Sequence, residues 1–354
     1  MEKKYKVLSV GVDLSNNGGI ASVVKTLYNV KDKTYNYTLL KTCYYKDKGL
    51  FFELRIVIKA IIKYLLFLIT NQFSIIHIHS SSGISFYRKS VFLLLAKLFR
   101  RKTILQIHSS NFDGFFNNAK GIKKAFIKLI LSQPDKIFVL CSDWKNKIRE
   151  KYSLNAEVIY NPINLKPIQS DRLKPETLNI LFLGFFIPSK GIDDLLKVIK
   201  YYKNSKEVNF IIGGKGDLET TIKDTIYNHQ LDNVSFIGWA NEEMKNKIFK
   251  ETDVLFLPSF KEGMPIVILE AISHSIPVIS TNIAGISELV VNGHNGFICS
   301  PGDIDSFIQA IDFFINCSEV TYNNFRHNSR QIANSFSDEI IVEQIESIYT
   351  SLIK

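Results

Sequence analysis

Two glutamates with seven residues between them, Glu262 and Glu270 in KEGMPIVILEA, bracket a Gly-Met-Pro turn and an apolar run. Gly263 lets the chain turn and a ligand approach the backbone, and Pro265 suits the first turn of a helix, where its missing N–H costs nothing. A helix starting near Pro265 points its free amides and positive dipole end at the crevice beyond a strand, which makes an anion site. Glu262 lies at that helix mouth, and Glu270, about two turns along, faces the same edge. Carboxylates there accept hydrogen bonds from paired hydroxyls, as on a sugar or a ribose. Phosphate at the amides with a polyol on either side describes a sugar nucleotide.

Other groups carry weaker chemistry. His77 and His79 in IIHIHSS project to one side of a strand as a metal pair would, but without a third ligand nearby they read as structural. Asp303 and Asp305 in PGDIDSF spell the D-x-D of metal-dependent transferases, yet at a helix N-terminus Asp303 is a natural cap, so no metal is expected. Arg88 and Lys89 in SGISFYRKS follow a strand and precede a helix, facing either an acceptor's phosphate or water. Arg55, Lys59 and Lys63 form one cationic stripe, and Lys120, Lys124 and Lys128, with Lys123 beside them, form another. Such stripes suit an anionic lipid interface or a solvated helix face.

The elements that must position these groups alternate almost from end to end. β-Branched runs (YKVLSVGV, SIIHIHS, KTILQIHSS, KIFVLCS) are interleaved with amphipathic stretches, and the pattern restarts after LKPIQSDRLKPETL (165–178) with LNILFLGF, VNFIIGG, VSFIGW, DVLFLPS, PVIST and GFICS. That alternation predicts parallel sheets with crossover helices, hence two doubly wound α/β domains, 1–166 and 167–335. Helices are predicted from Ile20, from Ile192, near 218–229 and 241–250, near Pro265, and from about Ser287. A last helix in 336–354, with Ile341, Ile345, Ile348 and Leu352 on one face, should pack back toward the first domain.

Composition bounds the class. The chain has 354 residues, 46% of them hydrophobic, which suits two ordinary globular cores. Its net charge of +10 is split unevenly: residues 1–166 carry 28 Lys+Arg against 10 Asp+Glu, or +18, leaving −8 for the rest. The first half therefore meets something anionic. The most apolar run, 50–69, is interrupted by Glu53, Arg55, Lys59 and Lys63, which argues against a membrane span. Cys43, Cys141, Cys299 and Cys317 form no CxxC pair, and the start is too short in apolar residues for a signal peptide, so reduced thiols in a cytoplasm are expected. No GxGxxG opens a helix after the first strand, which disfavours a dinucleotide-dependent oxidoreductase. No RNP or zinc-finger pattern supports nucleic-acid binding.

E-x7-E followed by AISHSIPVISTNIAGISELVVNGHNGFICSPGD resembles the C-terminal signature of the retaining glycosyltransferases of family 4. The likeness continues through FLGFFIPSKGIDDLL, IIGGKGDLE, VSFIGW and DVLFLPS, and in the first half through NNGGIASVV and LQIHSSNFDGF. The resemblance implies the GT-B fold, two Rossmann-like domains facing across a cleft, the first binding acceptor and the second nucleotide sugar. It also implies roles. Glu262 holds the donor sugar's hydroxyls beside the amides of Gly263, Met264 and Ile266, flanking Pro265; Glu270 holds the ribose, and Lys190 pairs with the diphosphate. Gly18 and Gly19 form a loop against the phosphates, His108 lies by the reacting sugar, and the base lies near Gly214 and Trp239.

The activity so implied is transfer of a hexose or N-acetylhexosamine, most simply from a UDP-sugar, to a hydroxyl of a lipid-linked or oligosaccharide acceptor in bacterial surface-glycan synthesis. It implies no cofactor, since the nucleotide sugar is a substrate. The setting is the inner face of the cytoplasmic membrane, where the basic half meets an anionic surface. One position departs from the family pattern: Phe185 stands where an arginine usually pairs with the lysine at the diphosphate. Lys215 and Lys261 are the candidate replacements, and the alternative reading is a catalytically silent nucleotide-sugar-binding subunit.

Overall fold

The computed structural model describes residues 5–14, 19–29, 34–42, 50–167 and 173–354. It divides into two compact units, one of Met1–Pro162 with Ser337–Lys354 and one of Ile163–Phe336.

The first unit runs β1 (Tyr5–Gly11), α1 (Gly19–Asn29), β2 (Tyr35–Lys41), α2 (Leu50–Ile69), β3 (Ile75–Ser80), α3 (Ile84–Leu98), β4 (Lys102–Ile107), α4 (Gly121–Leu131), β5 (Lys136–Val139), α5 (Ser142–Tyr152) and β6 (Glu157–Val158). Its six strands pair in parallel in the order β2-β1-β3-β4-β5-β6. β3, flanked by strands on both edges and helices on both faces, is buried along its whole length. This is why it reads as a continuous apolar run broken only by two histidines.

The second unit runs β7 (Leu178–Phe185), α6 (Ile192–Tyr201), β8 (Val208–Lys215), α7 (Glu219–Asn228), β9 (Val234–Gly238), α8 (Glu242–Glu251), β10 (Val254–Leu257), α9 (Ile266–Ser273), β11 (Val278–Thr281), β12 (Gly296–Cys299), α10 (Ile304–Asn316) and α11 (Glu319–Asn334). Its parallel order is β12-β11-β10-β7-β8-β9, so the direction of winding reverses between β7 and β10. In such sheets ligands bind beyond the strand C-termini at the reversal. α6 illustrates the local code: Ile192, Leu195, Leu196, Val198 and Ile199 are buried at helical spacing, and Asp193 and Asp194 in its first turn complement the dipole.

The final helix, α12 (Asp338–Ile353), is part of the first unit. Ser337 caps it by accepting from the Ile340 amide. It buries Ile341, Val342, Ile345 and Tyr349, a face rotated slightly from the isoleucine stripe expected. Tyr35 Oη and Thr350 Oγ1 lie 2.8 Å apart, and Gln344 donates to the Val158 carbonyl.

One expected helix is absent. Instead of a helix from about Ser287 there is a short 3-10 turn, Ala284–Glu288. The Gly285 amide is bound to the Gly263 carbonyl at 3.0 Å, and the β-branched pair Val290-Val291 follows before Asn292-Gly293, which disfavours continuation. Among the described residues no helix is long and apolar enough to cross a membrane.

Candidate functional site

At the reversal in the second unit, two loops are fastened together. The loop after β7 turns through Gly191, whose φ of 72° and closeness to the Pro258 carbonyl leave no room for a Cβ, which would lie 1.9 Å from that oxygen. The Ser189 carbonyl accepts from the amide of Phe260 at 2.8 Å and from that of Lys261 at 3.3 Å. Lys190 and Glu262 are brought together as a result: Lys190 Nζ meets Glu262 Oε1 at 2.5 Å, and Ser259 Oγ donates to the same oxygen at 2.9 Å. Glu262 is buried and Lys190 half-buried. The Glu262 loop is held from below, where Thr281 Oγ1 donates to the Ser259 carbonyl.

Pro265 is the N-cap residue of α9, with extended backbone. No side chain caps this helix and no acid stands in its first turn, so its amide end faces the loop of Gly263 and Met264 without a negative group of its own. Ile266 opens the helix, half-buried. Glu270, farther along α9, is not beside Glu262's cation. Its carboxylate pairs with Lys245 of α8, which also binds Glu242 at 2.9 Å. Burial raises the Glu270 carboxyl above the usual range, and Lys245 works against that rise. Burial in turn lowers Lys245, but Glu270 and Glu242 more than offset it and hold the ammonium above its usual range.

Gly214 at the end of β8 has a φ of 152°, and a Cβ there would lie 1.9 Å from the Gly184 carbonyl across the strand pair. Its first duty is thus close strand approach. Phe185 and Trp239 end β7 and follow β9, exposed by 36% and 39%, with ring centroids 5.5 Å apart. Lys215 Nζ lies 4.5 Å from the Trp239 centroid, a cation–π contact. Of the two candidate replacements for the missing arginine, Lys215 therefore lies over Trp239, while Lys261 is exposed beside the Lys190 loop. Asp303 caps α10 by accepting from the Ser306 amide, and Asp305 sits in that helix's first turn.

In the first unit His108 follows β4 directly, its amide bound to the Ser80 carbonyl at 2.7 Å. Its Nε2 lies 3.0 Å from Nδ1 of His79, whose ring stacks on His77 at 4.3 Å. His77 Nδ1 meets Tyr349 Oη of α12 at 2.6 Å. Burial pushes His77 and His108 down to about 3 and holds His79 well below its ordinary value, so all three rings are neutral. The strand pair of histidines is thus bonded to another histidine and a tyrosine. Gly19 begins α1, and Gly18 lies outside the described residues.

Lys89 corrects the sequence reading. It is not available to an acceptor or a membrane: it lies on the inner face of α3, 1% exposed, donating to the Val10 carbonyl at 3.1 Å and to Thr42 Oγ1 at 2.5 Å. Arg88 is half-buried on the same helix, and its Nε is buried without a hydrogen-bond partner. Lys120 and Lys128 are exposed and Lys124 half-buried along α4.

The family model described as Glycosyl transferases group 1 matches residues 166–332, and the one described as Glycosyltransferase Family 4 matches residues 32–166. This chain belongs to the family 4 glycosyltransferases. Among relatives of this glycosyltransferase, an uncharacterized 41.2 kDa protein of the cps region of Klebsiella pneumoniae is 29% identical over 280 residues, 72% of this chain and 76% of its own. The Escherichia coli UDP-Gal:alpha-D-GlcNAc-diphosphoundecaprenol alpha-1,3-galactosyltransferase is 33% identical over 190 residues, 51% of this chain and 47% of its own. Anabaena HepE, solved in complex with UDP and glucose, superposes with a TM-score of 0.75 at 16% identity, covering 98% of this chain and 100% of its own. The fold of this glycosyltransferase is GT-B.

Three contacts of these groups had no signal in the sequence. Ser259 supports Glu262 and Lys245 supports Glu270, yet neither stands in a recognisable motif. His79 was read as structural, and its bond to His108 is visible only once β3 and β4 lie side by side.

Proposed function

We propose that this glycosyltransferase moves a hexose or N-acetylhexosamine from a UDP-sugar, with retention of anomeric configuration, to a hydroxyl of a lipid-linked or oligosaccharide acceptor in bacterial capsule, O-antigen or other surface-glycan synthesis. The observation that carries this reading is the Lys190–Glu262 pair at the sheet reversal, beside the uncapped mouth of α9. The names of the relatives support the setting: a cps region, a UDP-Gal donor with a diphosphoundecaprenol acceptor, and UDP bound to a structural neighbour.

A diphosphate is a good leaving group, so the site must stabilise departing negative charge and an oxocarbenium-like carbon. Donor diphosphate draws the Lys190 ammonium from Glu262, and the amides of Gly263, Met264 and Ile266 complete its cradle. Glu262, released, accepts from the sugar's hydroxyls. Glu270 accepts from the ribose with Lys245 on its other side, and the base lies against Trp239 near Gly214. His108, held neutral, donates to a sugar hydroxyl without setting a positive charge beside the anomeric carbon. The leaving phosphate takes the acceptor's proton on the same face, with no covalent enzyme intermediate. No metal or cofactor enters, so chelation with EDTA leaves turnover unchanged. The enzyme acts at the inner face of the cytoplasmic membrane and does not bind nucleic acid.

A second reading, a catalytically silent nucleotide-sugar-binding subunit, is favoured by one observation: Phe185 stands at the usual arginine position with its ring toward Trp239. Thermal shifts with UDP, GDP and a panel of UDP-sugars, followed by donor turnover, test both. A ligand at about 100 times its dissociation constant adds roughly 2.7 kcal/mol. A UDP shift abolished by Glu270→Ala, with turnover, supports the transferase; a shift without turnover on any acceptor supports the silent subunit. No shift with any nucleotide overturns both.

A further inference from the structure

β3 carries His77 and His79 on one face, two residues apart, and the reaction proposed above uses neither. Both are buried, His79 to 2% exposure, so neither can touch a ligand. Strand pairing nonetheless sets His79 against a residue that can. β3 and β4 run in register through Ser80 and Ile107, and the His108 amide then donates to the Ser80 carbonyl at 2.7 Å, which holds the half-buried His108 beside the end of β3. There Nδ1 of His79 lies 3.0 Å from Nε2 of His108. With Nε2 so engaged, Nδ1 is the nitrogen that His108 has left for a ligand. The plane of the His79 ring is fixed from behind: His77 stacks on it at 4.3 Å with 25° between the planes, and Tyr349 Oη of α12 meets His77 at 2.6 Å.

Two neutral imidazoles at this distance share one proton, so one ring donates and the other accepts. The choice is passed on, because a neutral imidazole carries its single proton on one nitrogen or the other. If His79 donates, His108 keeps its proton on Nδ1 and presents a donor; if His79 accepts, His108 presents a bare lone pair. Lys89 tips the choice. Its ammonium, buried on α3, donates to the Val10 carbonyl and to Thr42 Oγ1. Burial, then the two neighbouring rings and this ammonium, all act against charge on His79. With Nδ1 turned to His108, a proton-free Nε2 is the form of His79 that a nearby cation stabilises.

We propose that His79 is the positioning residue of His108: its Nδ1–H donates to Nε2 of His108, which obliges His108 to carry its proton on Nδ1 and to meet the donor sugar as a hydrogen-bond donor. The inference rests on the role given to His108 in the proposed transfer and adds the group that fixes its tautomer. An unconstrained imidazole prefers its proton on Nε2, so the arrangement has to be imposed, and removing His79 releases it. Long-range proton–nitrogen correlation spectra of the full chain carrying nitrogen-15 histidine read the tautomer of each ring. Wild type shows the proton on Nδ1 in both His79 and His108, and His79→Leu moves that of His108 to Nε2. A wild-type His108 protonated on Nε2, or a tautomer that His79→Leu leaves unchanged, overturns the proposal. The wild-type spectrum, assigned with His108→Asn, decides the matter even where the leucine variant does not fold. Kinetics give a second readout. His79→Leu lowers kcat about tenfold with KM for the UDP-sugar unchanged, and His79→Leu/His108→Asn is no slower than His108→Asn alone. Losses that multiply in the double variant overturn the proposal, since His79 then acts on turnover without His108. Absence of wild-type turnover with every donor counts against the transferase reading alone, and the tautomer then decides this one.

Discussion

The two units share one architecture and carry different chemistry. Each has six parallel strands, but the second carries two carboxylate–ammonium pairs, Glu262 with Lys190 and Glu270 with Lys245, while the first carries three neutral imidazoles in contact. The difference follows from what each buries. A carboxylate set beside an ammonium has its charge answered within the fold. Imidazoles packed on β3 and β4 lose their charge to desolvation and keep only their hydrogen bonds.

The largest effect expected from this contrast is on turnover. Lys190→Met should lower kcat by about 10² to 10³, as for loss of a group that stabilises developing charge. His108→Asn should cost about tenfold, the worth of one hydrogen bond. Steady-state rates with a UDP-sugar decide it, and a larger loss at His108 would reverse the comparison.

Acid should act on the first unit. His77 titrates near its ordinary value when unfolded and at about 3 when folded, so the folded state binds fewer protons between those limits. The stability this provides is complete above about pH 6.5 and is lost as pH falls toward 3, on the order of 3 kcal/mol by about pH 4. Trp144 lies in the first unit and Trp239 in the second, so fluorescence melts of single-tryptophan variants follow the units separately. Acid sensitivity confined to the Trp239 signal would break the contrast.

Smaller effects sharpen the charged side. Lys245→Met leaves Glu270 buried without its cation and should destabilise by about 2 kcal/mol in urea unfolding, with Lys245→Met/Glu270→Leu recovering most of it. Asp303→Ala, which removes only a helix cap, should lower stability slightly in urea unfolding and leave the response to EDTA unchanged.

The sheets were legible because buried parallel strands announce themselves as apolar runs, and the Lys190 and Glu262 loops because each follows such a run. What escaped reading depended on distant chain. Lys89 looks like a surface cation until the Val10 carbonyl and Thr42 are seen around its ammonium. Lys245 is one lysine among several on α8 until α9 packs beside it. The region after Ser287 has helix-compatible residues, but the Gly285 amide is committed to Gly263, and the chain leaves the helical path. Phe185 was found by departure from a pattern, and its contact with Trp239 was not.

The membership of α12 in the first unit sets an order of events during synthesis. A ribosome delivers β1 to β6 first, then the whole of the second unit, and only then the helix bearing Tyr349. Until that helix emerges, His77 lacks its tyrosine, Tyr35 lacks Thr350, and the buried face of Ile341, Val342 and Ile345 is missing from the first unit's core. The second unit is contiguous and can fold as it appears. The nascent chain therefore completes the unit with the carboxylate–ammonium pairs before the unit with the histidine stack, whose His77 waits on α12 for its tyrosine.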